Sequence, residues 1–194
     1  LIDAAPPPLV RAFLCNSGAE AVEAAIKFAR HATGRTEIVS TFRAFHGRTL
    51  GALSTTHNPA YRENAGPLPP GVAFVPYNDP AAIAAAVTDA TAAVILEVVQ
   101  GEGGVHPGTR EFLLAVQRVC REQGALLIVD EVQTGFGRTW RMFAFEHAGL
   151  EPDMVCLAKG LAGGLPAGAL VWKKGLGDFL PHSHGSTYGG NELA

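Results

Sequence analysis

The amino-acid sequence predicts an α/β fold built on a mainly parallel sheet with helices on both of its faces. Short apolar runs of strand length alternate along the chain with segments whose apolar residues recur every three or four positions. Several of the short runs are apolar almost throughout, which is typical of parallel strands buried on both faces. Strands separated by helices favour parallel pairing over hairpins.

Seven segments carry the strand signal, because each is a short, mostly apolar run bounded by polar, Gly or Pro residues. In chain order they are residues 12–15, 37–42, 73–76, 92–99, 125–129, 154–158 and 167–172. The Pro-rich residues 58–71, between the second and third strands, are predicted as a loop.

Three helices are predicted between these strands. Val22, Ile26 and Ala29 recur at helical spacing until Gly34 ends the first helix. Residues 81–87 form the second. The third begins after the capping residue Thr109 and ends at Gly124; its apolar stripe consists of Phe112, Leu113, Val116 and Cys120.

Composition indicates an ordinary globular domain. The 194 residues are 47% hydrophobic and carry a net charge of −3, which suits one domain with a sizeable core and offers no basic face for nucleic acid or anionic lipid. Three cysteines, Cys15, Cys120 and Cys156, lie in apolar segments. Their odd number and wide spacing predict buried free thiols in a reducing compartment rather than disulfides or a metal site.

The chain contains no signal-peptide pattern and no apolar run near the roughly 18 residues of a membrane span, so we expect a cytoplasmic protein. It starts at Leu1 and stops directly after a Gly-rich turn, and we therefore expect a fragment of a longer protein.

Ligands of parallel sheets bind beyond the carboxyl ends of the strands, and two chemically complementary groups occur there. Asp130 follows one buried run and Lys159 follows the next. This pair suits pyridoxal phosphate: the amine forms a Schiff base with the aldehyde, and the carboxylate keeps the pyridine nitrogen protonated. Gln133 is placed to hydrogen-bond the ring hydroxyl. A metal site at Asp130 is disfavoured because the chain has neither a Walker-type loop nor a His pair at ligand spacing.

A second set of residues joins the first strand to the first helix. Ser17 and Glu20 have the spacing of a capping box, which alone would explain the motif as a helix start. The exposed amides of Gly18 and Ala19, together with the helix dipole, would also bind a phosphate. The two interpretations are compatible.

The remaining candidates lie on two further loops. Phe45 suits stacking on a pyridine ring and Arg48 suits a substrate carboxylate, although a core aromatic beside a surface arginine is the commoner arrangement. His46 is expected to be structural or to lie behind the ring. Glu97 and Glu102 place two acids at the ligand edge, and Glu102 is expected to screen Arg48 or to pair with an arginine outside this chain.

Six motifs occur in the order typical of class III, pyridoxal-phosphate-dependent aminotransferases, and the chain is identified by resemblance as a member. They are Asn16-Ser-Gly-Ala-Glu-Ala, Phe45-His-Gly-Arg-Thr-Leu, Gln100-Gly-Glu-Gly-Gly-Val, Asp130-Glu-Val-Gln-Thr-Gly-Phe-Gly-Arg-Thr, Leu157-Ala-Lys-Gly and Gly185-Ser-Thr-Tyr-Gly-Gly-Asn. The chain most resembles the acetylornithine and ornithine aminotransferase branch, including the carrier-protein-linked aminoadipate-semialdehyde enzymes. The resemblance implies the large domain of the fold-type I architecture over residues 1–194, without the small domain.

The resemblance also implies roles for individual residues. Lys159 matches the Schiff-base lysine, and Asp130 the partner of the pyridine nitrogen. The other cofactor-binding positions are Ser17, Gly18, Ala19, Phe45, His46, Glu97 and Gln133. Arg48 matches the arginine that binds the substrate α-carboxylate, with Glu102 beside it. Thr187 matches the threonine that reaches the cofactor phosphate of the other subunit, which implies a homodimer.

The implied reaction is transamination between the ω-amine of an acylated ornithine-like substrate and 2-oxoglutarate. Val98 and Glu192 stand where the family usually has proline, which affects the choice of branch rather than of reaction. Ornithine, 4-aminobutyrate and other ω-amino acids stay open as substrates. A non-catalytic binding module would need neither Lys159 nor Asp130, and Arg48 disfavours an aminomutase because glutamate-semialdehyde aminomutases typically lack it.

Overall fold

The computed structural model describes residues 1–194 and contains nine strands and five α-helices. In chain order the strands are β1 (Leu9–Cys15), β2 (Glu37–Thr41), β3 (Val72–Val75), β4 (Thr91–Leu96), β5 (Val99–Gln100), β6 (His106–Pro107), β7 (Leu126–Asp130), β8 (Met154–Leu157) and β9 (Gly168–Lys173). The helices are α1 (Gly18–Thr33), α2 (Leu50–Thr55), α3 (Pro59–Arg62), α4 (Pro80–Ala86) and α5 (Arg110–Gln123). A 3₁₀ turn, Lys159–Ala162, follows β8.

Seven of the strands form one sheet in the order β1-β9-β8-β7-β4-β2-β3. β9 is antiparallel to both of its neighbours, and every other neighbouring pair is parallel. The predicted mainly parallel, seven-stranded sheet is therefore confirmed. Since β9 runs opposite to both β1 and β8, β1 and β8 point in the same direction, and the carboxyl ends of six strands lie at one edge of the sheet.

The sheet separates two hydrophobic cores. On β4, where all six residues are buried, Val94 and Leu96 join one core while Ala93 and Ile95 join the other. This alternation follows from the two-residue period of a strand. Helix α1 packs in the second core, and α4 and α5 pack in the first. Helices on both faces are thereby confirmed. The central strands β4, β7 and β8 are buried throughout, which explains why their sequences are almost entirely apolar.

The predicted caps are present at the ends of the two long helices. The Ser17 hydroxyl accepts a hydrogen bond from the Glu20 amide at 3.2 Å, and the Thr109 hydroxyl accepts one from the Phe112 amide at 3.2 Å. Gly34 and Gly124 end these helices in the left-handed conformation, with φ of 69° and 67°. Glycine adopts this conformation without a steric penalty, so both helices end where the sequence predicts.

The structure departs from the prediction mainly between residues 42 and 71. Helix α2 was not predicted; its first amides, at Gly51 and Ala52, donate to the side chain of Glu23 on α1, so its cap comes from a distant segment. The predicted loop at residues 58–71 contains α3, which Asn58 caps with its side chain. The predicted strand at residues 92–99 ends earlier, at Leu96, because β5 pairs with β6 instead of continuing the sheet.

All three cysteines are buried and free. Burial raises the pKa of the Cys15 thiol to about 11 and raises the pKa of Cys120 and Cys156 as well. These thiols therefore remain protonated and behave as small apolar side chains. No helix of the structure is both long and apolar enough to cross a membrane.

Candidate active site

A cavity of about 530 Å³ opens at the edge of the sheet where the parallel strands end, within the size range of small-molecule sites. It brings together residues that are distant in the sequence. The predicted site residues that line it are Ser17, Gly18, Ala19, Phe45, His46, Arg48, Glu97, Glu102, Asp130, Gln133 and Lys159. Thr187 is the one predicted residue outside it. The convergence follows from the topology, because β1, β4, β7 and β8 all end at this edge.

Asp130 is the last residue of β7, and its carboxylate is held from two sides. The imidazole Nδ1 of His46 lies 2.7 Å from Oδ2, and the amide of Val132 donates to Oδ1 at 3.0 Å. A carboxylate only accepts hydrogen bonds, so an ionised Asp130 requires that His46 carry its proton on Nδ1. The side chains are 0% and 5% exposed, for His46 and Asp130 respectively. His46 thus contacts Asp130 directly, and its Nε2 has no partner. Its place relative to a cofactor ring stays a prediction.

Lys159 begins the 3₁₀ turn after β8, and its side chain is directed to Gln133. Its Nζ donates to Gln133 Oε1 at 2.6 Å. The backbone of Lys159 is left-handed, with φ of 44°, a conformation that disfavours any residue except glycine. Strain of this kind occurs at functional sites, where the surrounding structure maintains it. The amine predicted to bind the aldehyde and the amide predicted to bind the ring hydroxyl therefore lie in contact.

The first turn of α1 forms another wall of the cavity. The amides of Gly18 and Ala19 start the helix and so have no acceptor within it. A Cβ atom on Gly18 would lie 2.8 Å from Val132 Cγ1, so only glycine allows α1 to approach the turn after β7 this closely. Free amides and the positive end of the helix dipole face one end of the cavity, as anion binding requires.

Glu97 follows β4 and is 5% exposed. Its Oε1 accepts a hydrogen bond from the Phe45 amide at 3.1 Å, and its Oε2 accepts one from the Gly101 amide at 3.0 Å. Burial raises the pKa of this carboxyl, and the nearby His46 partly opposes the shift. Since a backbone amide occupies each oxygen, Glu97 fixes the loops that carry Phe45 and Gly101.

Arg48 and Glu102 lie at the mouth of the cavity, and both side chains are exposed. The Arg48 guanidinium carbon lies 4.1 Å from the centre of the Tyr61 ring and 5.8 Å from that of Phe45. Glu102 accepts a hydrogen bond from the Tyr61 hydroxyl at 2.8 Å. Arg48 forms no ion pair in the chain. The expectation that Glu102 screens Arg48 or pairs with an arginine outside this chain stays a prediction.

Thr187 is exposed and lies outside the cavity of its own chain. The neighbouring Ser186 hydroxyl accepts a hydrogen bond from the Asn16 side chain at 3.0 Å, which holds this segment near the end of β1. Its assignment to the other subunit stays a prediction.

Comparison with known proteins agrees with this arrangement. The sequence model of the family described as Aminotransferase class-III matches residues 1–194, the whole chain. The chain belongs to the class III aminotransferases. The resemblance drawn from six motifs is thereby confirmed over the full length of the chain.

Individual relatives of this class III chain extend the comparison. It is 52% identical to the acetylornithine aminotransferase of Methanocaldococcus jannaschii and 54% identical to that of Bacillus subtilis, over 96% and 94% of its length and 48% of each relative. Its fold is similar to that of the ornithine aminotransferase from Toxoplasma gondii, with a TM-score of 0.91 at 36% identity over 95% of this chain and 46% of that one. The chain therefore spans about half the length of the relatives that it matches.

Several residues that line the cavity of this class III chain, or contact its lining from outside, were not predicted. Val132 lies two residues after Asp130 and packs against Gly18 at the start of α1, and Gly47 lies directly against Ala19. Tyr61 contacts Phe45, Arg48 and Glu102 from helix α3. The Asn-Pro pair that starts α3 was a readable helix signal, but only the tertiary structure shows that this helix reaches the site.

Proposed function

We propose that this chain binds pyridoxal phosphate and forms most of the active site of an aminotransferase. The observation that carries the proposal is the contact of Lys159 Nζ with Gln133 in the same cavity as the buried Asp130–His46 pair. A reactive amine and a buried, oriented carboxylate at neighbouring strand ends suit this cofactor better than any metal or nucleotide. The Toxoplasma relative is described with pyridoxal phosphate at its active site, which supports the proposal.

The donor set fits the chemical parts of the cofactor. The free amides of Gly18 and Ala19 suit the phosphate, the Phe45 ring suits one face of the pyridine, and Asp130 suits its protonated nitrogen. Lys159 suits the aldehyde carbon and Gln133 the adjacent hydroxyl. When bound, pyridoxal phosphate supplies an electron sink for the carbanion at the substrate carbon.

Lys159 is the proposed base and acid of the reaction. The Gln133 amide oxygen holds its Nζ in the cavity. With the cofactor bound, Lys159 Nζ would be the group that takes a proton from the substrate carbon and holds it for return later in the reaction. Asp130 Oδ1 accepts from the Val132 amide and Oδ2 lies 2.7 Å from His46 Nδ1, so two neighbours hold the carboxylate in the orientation proposed for the ring nitrogen.

We further propose that the reaction exchanges an amino group between the ω-amine of an acylated ornithine-like substrate and 2-oxoglutarate. Relatives named acetylornithine aminotransferase, 52% and 54% identical, support this substrate class. Arg48 offers guanidinium donors that no carboxylate of the chain occupies, so it suits the substrate carboxylate. The structural likeness to an ornithine aminotransferase keeps unacylated ornithine as the second candidate substrate.

The proposed enzyme is a homodimer in the cytoplasm, in which Thr187 reaches the cofactor phosphate of the other subunit. A second cavity, of about 900 Å³, opens on the far side of Gln133 and Lys159. Val105 and Trp140 line it and are 71% and 97% exposed. Exposed apolar side chains of this size, so close to the site, suit burial against a second copy. The protonated, buried thiols suit a reducing compartment.

The test uses the complete protein that contains this chain, incubated with pyridoxal phosphate. We expect visible absorbance from the bound cofactor and, after borohydride reduction, a covalent label that peptide mass spectrometry locates on Lys159. Lys159→Ala should lose both the label and the turnover of N-acetylornithine with 2-oxoglutarate. Lys174→Ala should keep both, because this exposed lysine follows β9 at the edge of the sheet opposite the cavity. Label and turnover that persist in Lys159→Ala would refute the proposal.

A further inference from the structure

Tyr61 lies between the two opposite charges at the mouth of the cavity and contacts both. Its ring lies under the Arg48 guanidinium, at 4.1 Å from the ring centre to Cζ. Its hydroxyl donates to Glu102 Oε1 at 2.8 Å. The Phe45 ring meets the Tyr61 ring edge to face, with 5.8 Å between their centres. One side chain therefore links the residue assigned to the substrate carboxylate, the residue assigned to the cofactor ring, and an acid.

The helix that carries Tyr61, α3, is held in place by the side chains of its neighbours in the sequence. Asn58 caps α3 through a hydrogen bond to the Ala60 amide at 3.0 Å. Arg62, the next residue, donates to the carbonyls of Ser54 and Thr56 at 3.1 and 2.8 Å, which ties α3 to the end of α2. Since both helices are short, these bonds rather than helix length hold Tyr61 in place.

Arg48 and Glu102 carry opposite charges and contact the same tyrosine without pairing with each other. Both are exposed, both line the same cavity, and Arg48 has no ion pair in the chain. Tyr61 gives each of them a different partner: a cation–π contact for the guanidinium and a hydroxyl donor for the carboxylate. The hydrogen bond to Glu102 raises the pKa of Tyr61, and the nearby Arg48 guanidinium partly opposes this shift; the net direction is upward, so the hydroxyl remains a donor at neutral pH.

We propose that Tyr61 is a positioning residue that keeps Glu102 away from Arg48 and so leaves the guanidinium open to a substrate carboxylate. The inference rests on the proposed function, which assigns Arg48 to that carboxylate. Tyr61 takes part in no bond-making step. It acts through Arg48, and its effect belongs to substrate binding rather than to turnover.

The experiment removes the hydroxyl in two backgrounds of the complete protein. In Tyr61→Phe the ring remains and Glu102 loses its donor, so Glu102 competes for Arg48. The dissociation constant of glutarate, an unreactive dicarboxylate measured by calorimetry, and the KM for glutamate should each rise about 1.5- to 5-fold, the range of an exposed ion pair, while kcat stays unchanged. In a Glu102→Gln background the same substitution should change neither constant, because a neutral amide does not compete as an ion. Tyr188→Phe serves as the matched control, because it removes the hydroxyl of a tyrosine that is 74% exposed and should leave both constants unchanged.

A second variant tests the role of the ring. Tyr61→Leu removes the cation–π platform as well, so the glutarate dissociation constant should rise by a further two- to fivefold in both backgrounds. The inference is overturned if Tyr61→Phe leaves the glutarate dissociation constant and the KM for glutamate unchanged, changes them equally in the two backgrounds, or changes only kcat. It is also overturned if Tyr61→Leu gives the same dissociation constants as Tyr61→Phe. A wild-type protein that neither transaminates glutamate nor binds glutarate would instead refute the proposed function.

Discussion

Replacing Asp130 in two ways separates its chemical role from its structural role. In Asp130→Asn the side chain keeps its shape. The amide oxygen still accepts from Val132, and the amide nitrogen donates to His46 once that ring moves its proton from Nδ1 to Nε2. The proton change is open to His46 because Nε2 has no partner to lose. In Asp130→Ala, by contrast, the buried His46 Nδ1 loses its only acceptor.

The two variants should therefore differ in stability and agree in activity. Leaving a buried polar group without a partner costs about 1 to 3 kcal/mol, so Asp130→Ala should lower the free energy of unfolding by that amount. Asp130→Asn should lower it by less than about 1 kcal/mol, since each hydrogen bond is replaced. Both lack the negative charge beside the cofactor nitrogen. Losing one preorganised electrostatic contact of this kind costs about 3 to 4 kcal/mol, or roughly 100- to 1000-fold in kcat.

The assays are urea unfolding of the complete protein with cofactor absent, and steady-state transamination of N-acetylornithine with saturating cofactor. Cofactor affinity, followed by visible absorbance, shows that each variant is loaded. Asp130→Asn with a kcat within about threefold of wild type would refute the charge argument. Equal loss of stability in the two variants would refute the argument about His46.

Three further predictions follow from contacts in the same cavity. Arg48→Lys should raise the KM for glutamate by roughly 10- to 150-fold, which corresponds to about 1.5 to 3 kcal/mol for a charge-assisted contact that lysine cannot reproduce. Titration with pyridoxal phosphate should show unchanged cofactor affinity. Weakened cofactor binding with an unchanged KM would reverse the assignment. Gly18→Ala should reduce the free energy of unfolding by about 1 to 3 kcal/mol and weaken cofactor binding, because its new Cβ would lie 2.8 Å from Val132 Cγ1. Adding Val132→Ala should restore much of both losses, as measured by urea unfolding and cofactor titration. No restoration would mean that the clash is not the cause. Glu131 is buried, and burial raises its pKa above the usual 4.5, so its ionised form is the destabilising one. Wild type should therefore lose stability relative to Glu131→Gln as the pH rises from 4.5 through the raised pKa. Urea unfolding at several pH values measures this difference, and a constant difference would contradict the predicted sign.

Much of the fold followed from local sequence because strand burial leaves a direct signal. Most strands of the large sheet are apolar along most of their length, and the two long helices have their caps and terminal glycines in the sequence. The ends of β7 and β8 likewise indicated Asp130 and Lys159. These features depend on neighbours only a few residues away, so the sequence by itself was enough to predict them.

Other features depended on partners far away along the chain, and only the tertiary structure decided them. Glu23 caps α2 from another helix, His46 meets Asp130 across 84 positions, and Tyr61 meets Glu102 across 41. A six-residue helix has too little propensity of its own to be predicted without such a cap. A hydrogen bond between distant side chains leaves no periodic pattern, since each residue alone is equally compatible with a solvated surface. The sequence by itself therefore determined the sheet and the placing of Asp130 and Lys159 at its edge, whereas the packing of loops against that edge determined which side chains contact them.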